Sequence, residues 1–375
     1  MTRGAIRVAM ALAIGIACAT PAAALPTMIR IGYTNCAACH VAPQGGGVLT
    51  EYGQGIDQAQ SLRGGELQRV QDLHRRLIQD LRLVMQEQST WTDRPMPNNF
   101  RPRLLYRNVT NLGAGFRLSG VATIEGASAP RPAKSYDPAA RGSTLFVNSA
   151  LVSYRPAKTL EFDAGRDQLP TGVNVPSLGA YIRSRNRLGY YDAPTQLKMA
   201  WWGKRHQVMP YVYAPGGNEA SAERESGAGT LAEFDLLGNQ RTVVGASFLK
   251  GSARNGDRQM VGGYARLGFG RWGILAEHDV TDRTRTALAQ QSFTQNASFT
   301  QVFWAAREWL VLSGIGERLR VERPFLERRN AGQIEVSARL APQATIVLGT
   351  RLEKDLVTNR LAKSLILQMA LKTVY

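Results

Sequence analysis

Hydrophobic positions recur with two different periods along this chain. Residues 64–79 place Leu67, Val70, Leu73 and Leu77 on one stripe and Arg69, Gln71, Asp72 and Arg76 elsewhere, the spacing of an amphipathic helix. From about residue 80 the period falls to two. Leu81, Leu83 and Met85 open the series, and Phe116 and Leu118 then alternate with Arg117 and Ser119. Further on, Leu160, Phe162 and Ala164 oppose Glu161 and Asp163, and Ile334, Val336, Ala338 and Leu340 oppose Glu335, Ser337 and Arg339. This is the dyad repeat of strands with one apolar and one polar face. A soluble sandwich alternates in the same way, so periodicity alone does not select a membrane.

The connections carry the choice. Short turns fall near Asn111–Gly113, Pro156–Ala157, Gly203–Arg205, Gly238–Asn239, Gly270, Arg307–Glu308 and Pro342–Gln343. Longer polar connections fall near 92–99, 126–141, 167–194, 215–228, 251–257, 281–296, 322–329 and 356–361, so short and long alternate throughout. That is the order of an up-and-down barrel with short periplasmic turns and long outer loops. The expected fold is an all-β transmembrane barrel, porin-like, of about sixteen antiparallel strands, with both termini on the periplasmic side. The final strand agrees, with Leu365, Leu367, Met369, Leu371 and Tyr375 on one face. Trp201, Trp202, Trp272, Trp304 and Trp309 lie near short turns, as an aromatic girdle at the membrane surface would.

Charge narrows the partners. The chain has 46 Lys and Arg against 29 Asp and Glu, a net charge of +17. At the N-terminus Arg3 and Arg7 lead an apolar run from Val8 to Cys18, and Ala22-Ala23-Ala24 offers a cleavage site. Residues 1–24 therefore read as a secretory signal peptide. For an exported chain without a nucleic-acid motif, the positive charge points to outer-membrane lipid, lipopolysaccharide, haem propionates or anionic solutes rather than nucleic acid.

The chemistry lies in Cys36-Ala37-Ala38-Cys39-His40. Two thiols spaced C-x-x-C with His directly after form the attachment signature of a c-type haem. A redox dithiol and half of a zinc site share the C-x-x-C part, but the second lacks a further ligand pair and the first lacks a βαβ context. Residues 25–79 are then a small α-helical haem segment and 80–375 the barrel. Candidates for the second axial ligand are His74, beside the helical stripe, and Met28, Met85 and Met96.

Signal peptide, single haem motif and porin-like barrel together resemble the fused monohaem cytochrome c–porin family, whose best-known members are outer-membrane iron oxidases of bacteria. The resemblance rests on the haem motif followed by Pro43 and by Leu49-Thr50-Glu51-Tyr52-Gly53. It implies Cys36 and Cys39 as covalent anchors of one haem c and His40 as proximal ligand to the iron. Ile29-Arg30-Ile31-Gly32-Tyr33 ahead of the motif departs from the family pattern.

Two functions follow as expectations. In the first, electrons pass from an extracellular reductant such as ferrous iron, through the haem, to a periplasmic c-type cytochrome or other carrier. The bilayer core of ~30 Å makes a haem held within a barrel one way to bring such partners together. In the second, the chain is an anion-preferring diffusion porin with a structural or sensory haem segment. The 167–194 connection serves the second, since Arg183, Arg185 and Arg187 near Tyr181, Tyr190 and Tyr191 would form a basic constriction if folded inward. Asp137, Glu219 and Glu223 are loop carboxylates able to attract a cation in the first. His206 and His278 lie far along predicted strands and build no acid–base site with the haem.

Overall fold

The computed structural model describes residues 28, 39–40, 49–50, 53, 56, 60 and 62, then 77–92, 96, 99–126, 144–174, 180–189, 192–216, 224–285, 291–341 and 343–372. Sixteen strands follow one another. The first eight are β1 (Leu77–Trp91), β2 (Asn99–Gly113), β3 (Phe116–Glu125), β4 (Thr144–Ala157), β5 (Leu160–Arg166), β6 (Thr195–Trp202), β7 (His206–Ala214) and β8 (Glu225–Asp235). The rest are β9 (Thr242–Ala253), β10 (Gly256–Phe269), β11 (Trp272–Arg285), β12 (Gln291–Arg307), β13 (Leu310–Val321), β14 (Glu327–Ala341), β15 (Ala344–Asp355) and β16 (Leu361–Lys372). Each strand pairs with its sequence neighbours, and β1 closes the ring on β16 through Arg82↔Lys372 to Trp91↔Lys363. Closure leaves no sheet edge, which is what a sheet facing lipid requires.

Alternation sets the two faces. On β13, Val311, Ser313, Ile315, Glu317, Leu319 and Val321 are buried, while Leu312 and its even-numbered neighbours are exposed. Phe100, Leu104, Ile124, Leu145, Leu197, Val261 and Ile334 are among the large apolar side chains on the outer surface, and the interior holds most of the charge. Apolar-out and polar-in is the inverse of a soluble core and the arrangement of a membrane barrel.

Both ends of the strand sequence lie at the short-turn end, since β1 starts opposite Thr110 near the β2–β3 turn and β16 ends opposite Ala344. Bulges at Asn111/Gly113, Tyr154/Ala157, Ala305/Arg307 and Arg339/Ala341 all sit beside short turns, where an extra residue bends the strand into its hairpin.

Three expectations change. The barrel starts at Leu77, so Leu77–Gln79 are strand rather than the end of a helix; the remainder of that predicted helix, including His74, lies outside the described residues. The strict alternation of short and long connections also fails at one place. β9 and β10 are joined by Arg254-Asn255 alone, whereas β8 and β9 are separated by residues 236–241. Gly256, at φ +144°, opens β10 directly after this two-residue turn. By contrast, Asp235 accepts from the N–H groups of Gly238 and Gln240 at 3.0 and 2.7 Å and stabilises a wider turn. The aromatic girdle holds for Trp201, Trp272 and Trp304, the last two stacked at 6.0 Å. Trp202, however, points inward with the Arg155 guanidinium 5.2 Å over its ring.

Candidate functional site: the lumen and its short-turn mouth

The connection between β5 and β6 folds into the barrel. Its one short helix, α1 (Tyr181–Ser184), packs with Val173 and Ala180 against Leu275, Phe299, Phe303 and Leu319 of β11–β13. A second cluster joins Leu169 and Leu188 to Tyr211, Tyr213, Leu249 and Met260. Polar anchors do the rest. Asn186 donates to Asp279 at 2.7 Å and accepts from Thr281 at 2.9 Å and Gln295 at 2.6 Å, while its carbonyl accepts from Arg258. Glu277 accepts from the Val173 N–H at 2.7 Å, and Glu317 from that of Tyr181 at 2.7 Å. Gly172, at φ +53°, lets the loop pass so close to Glu277 that an added Cβ would collide with its carboxylate. At the base of the loop, fully buried Lys198 lies between Asp163 at 3.4 Å and Asp167 at 3.2 Å.

The loop thus enters the lumen as the sequence suggested, but its three arginines do a different job. Arg183 is buried and donates to Thr171 at 3.1 Å and the Val173 carbonyl at 2.5 Å. Arg185 pairs with Glu327 at 2.6 Å, and Arg187 with Glu225 at 3.7 Å. They tie the loop to itself and to the wall instead of presenting a basic constriction. Tyr181 sits under the Arg351 guanidinium, 5.5 Å away, and burial pushes its phenol well above the ordinary tyrosine range. Tyr190 and Tyr191 lie outside the described residues, as do Asp137, Glu219 and Glu223.

The inward anchors of this loop run from β6 and β8 round to β15. The remaining arc is β16 and β1–β5, and its β16 to β3 part carries a different charge. Arg82 on β1, Arg101, Arg103 and Arg107 on β2, and Arg117 on β3 occupy inward positions, with Lys372 on β16 beside them. Glu125 is a carboxylate among the described inward side chains of β1–β3, and Glu161 on β5 pairs with Arg117 at 2.8 Å. Sequence reading passed over these cations. Their signal was present in Arg101, Arg103, Leu105 and Arg107, which share the face opposite Leu104 and Tyr106.

At the short-turn mouth, Leu62 donates its N–H to the Arg339 carbonyl at 2.9 Å, beside the β14 bulge. Before it, His40 bridges Leu49, and the Thr50 N–H reaches the Cys39 carbonyl at 2.8 Å. Gly53 packs over that carbonyl so tightly that a Cβ would overlap it. Cys39 is buried; Cys36 lies outside the described residues. The Met28 sulfur accepts from Gln60 Nε2 at 3.6 Å within this segment. Met85 stands opposite Pro102 and Met369 on the outward alternation of β1, and Met96 follows β1 at the long-loop end. His206 packs edge-on to Trp201 at 4.8 Å, and His278 meets Ser298 at 2.8 Å on the outer face. Among the described residues no group of three or more His, Cys, Asp and Glu could hold a metal ion.

Closed ring, apolar outer face and an inward-folded third long connection define a porin-like barrel. Solved structures agree on that class. The anion-selective porin from Comamonas acidovorans matches with a TM-score of 0.58 and 11% identity, over 79% of this chain and 100% of the other. The outer-membrane expressed OmpT of Vibrio cholerae matches at 0.55 and 10%, over 80% and 98%. OmpF of Salmonella typhi, in complex with daunomycin, matches at 0.56 and 9%, over 79% and 97%. No family model matches the chain, and neither does any curated protein sequence.

Proposed function

We propose that this chain is an outer-membrane channel that prefers anions and carries one haem c on its N-terminal segment at the periplasmic mouth. The observation that carries the channel reading is the uneven lumen wall. The inward loop is anchored across β6 and β8–β15, and the arc left to solutes carries Arg82, Arg101, Arg103 and Arg107, with Arg117 held by Glu161 at its β5 side. A one-sided row of cations within low-dielectric walls raises the local concentration of anions and opposes cations. Similarity to a porin that is itself anion-selective supports the same reading.

The residues before β1 fit a c-type haem by their donor set, a buried thiol at Cys39 followed directly by the His40 imidazole. Cys36 and Cys39 would hold the group and His40 would ligate the iron, as in the cytochrome–porin family the motif resembles. Bound there, the haem supplies one-electron exchange. The backbone bond from Leu62 to Arg339 favours a second reading on this basis, an electron conduit. In it, an extracellular reductant would be oxidised and a periplasmic c-type cytochrome reduced, with the segment held at the barrel mouth between them.

Planar bilayers separate the two. In a salt gradient the purified holoprotein should show an anion-directed reversal potential. Replacing Arg101, Arg103 and Arg107 by Gln should lower the anion preference about two- to threefold. A closed lumen, together with rapid reduction of the haem bands by ferrous citrate on the loop side of proteoliposomes, would replace the channel by the conduit.

A further inference from the structure

The outer surface is not uniform around the ring. On β13–β16 the outward positions of the short-turn half are apolar or small, among them Leu312, Val336, Ile346, Leu348, Leu367 and Met369. The outward positions of the long-loop half hold Arg318 and Arg320 on β13, Arg328 on β14, Lys354 on β15 and Lys363 on β16, all exposed. Register brings them together. Arg320 lies directly opposite Arg328, and Asn330 stands between Arg318 on one side and Lys354 on the other. Lys363 faces Leu352 across the next pair. No outward position of these four strands is an Asp or Glu. Nearby carboxylates are Glu322, in the connection after β13, and Asp355, which turns inward and accepts from the N–H groups of Val357 and Thr358 at 2.8 and 3.1 Å. On the other strands outward cations are scattered, such as Lys250 on β9.

Like charges directly across a strand pair are destabilising unless an anion lies between them. With strands about 4.8 Å apart, the cluster spans roughly 15 Å along the rim, the width of a large headgroup. Its height matters too. On β15 the outward positions Ile346, Leu348, Thr350 and Leu352 lead to Lys354, and on β16 Leu371, Met369, Leu367 and Leu365 lead to Lys363, so the cations stand where hydrocarbon gives way to headgroups. We infer that this rim is a docking surface for a phosphorylated lipid headgroup of the outer leaflet, the bisphosphorylated lipid A of lipopolysaccharide. Phosphates lie against Arg318, Arg320, Arg328 and Lys354, and acyl chains run down the Leu348 and Leu352 strip below. Guanidinium forks match phosphate oxygens in pairs, which suits Arg to this role. The inference rests on the outer-membrane reading above, with long loops outside, and is independent of solute selectivity.

The test compares three full-length proteins purified in detergent. One is the natural chain. The second carries Arg318→Gln, Arg320→Gln, Arg328→Gln and Lys354→Gln; the third removes as many exposed cations at the short-turn end, through Lys204→Gln, Arg241→Gln, Arg271→Gln and Arg307→Gln. Lipopolysaccharide, the same lipid after enzymatic dephosphorylation, and inorganic phosphate serve as probes, with bound lipid counted by native mass spectrometry. The natural chain and the short-turn variant should bind phosphorylated lipid, and the rim variant at least about tenfold less, with affinity falling as salt rises. Equal binding by the rim variant overturns the inference, as does equal loss in the short-turn variant. Full displacement by inorganic phosphate would mean an anion site without a lipid. Channel selectivity measured on the rim variant should be unchanged, and fractionation of cells making the natural chain reports the membrane location separately.

Discussion

Single residues hold the lumen together where charge is buried. Lys198 has a fully buried side chain and is the shared counter-ion of Asp163 and Asp167. The three side chains join β5 and β6 to the first residue of the inward loop. Removing one partner of a buried ion pair strands the others, at a cost of about 3–5 kcal/mol. Lys198→Met should therefore lower the thermal unfolding temperature in detergent markedly, and adding Asp163→Asn with Asp167→Asn should restore most of it. An unchanged single variant would show that the carboxylates are not charged in the folded barrel. Gly53 constrains the proposed haem segment by a different route, since its missing Cβ makes room for the Cys39 carbonyl. Gly53→Val should abolish covalent haem incorporation, read by haem staining of the denatured band, with the heat-modifiable mobility of the barrel preserved. Normal staining would place Gly53 outside the haem fold.

At the scale of elements, strands and loops were not equally legible. A strand that is apolar on one face and polar on the other declares itself by its period, and the count of about sixteen came from the connections between such strands. Turns depend on local chemistry instead, which is why Arg254-Asn255, followed by Gly256, makes a two-residue hairpin where the run of polar residues around it suggested a long loop. The inward course of residues 167–194 was legible as length and arginine content, but its fastening was not. Asn186 is an ordinary polar loop residue in sequence, and only the approach of β10, β11 and β12 makes it the point where four partners converge. Its loss would leave buried Asp279, Thr281 and Gln295 short of a partner, at about 1–3 kcal/mol for each stranded group. Asn186→Ala should loosen the loop without opening the strand ladder. Expected signs are faster proteolysis within 167–194 and a larger, noisier single-channel conductance. Equal protection and equal conductance would show that the apolar clusters around Tyr181 and Leu188 suffice to hold it.

For the whole molecule the question is how far the barrel depends on what precedes it. Every strand ladder lies between Leu77 and Lys372, and closure is made by β1 with β16. The described backbone link from the N-terminal segment to the ring is one bond, Leu62 to Arg339, at the β14 bulge. Such a bond contributes about 1 kcal/mol net, small beside the cooperative closure of sixteen strands. A chain lacking residues 25–62 but keeping its signal peptide should therefore still insert and migrate as a heat-modifiable barrel. It should hold no covalent haem, and its conductance should rise if the deleted segment, tied through Leu62 to Arg339 three strands round the ring from where β1 begins, covers the short-turn mouth. A deletion that leaves conductance unchanged would place the segment beside the mouth rather than over it. Failure of the barrel to form at all would show instead that the haem segment templates the ring during assembly, and haem attachment would then control how much barrel the cell makes.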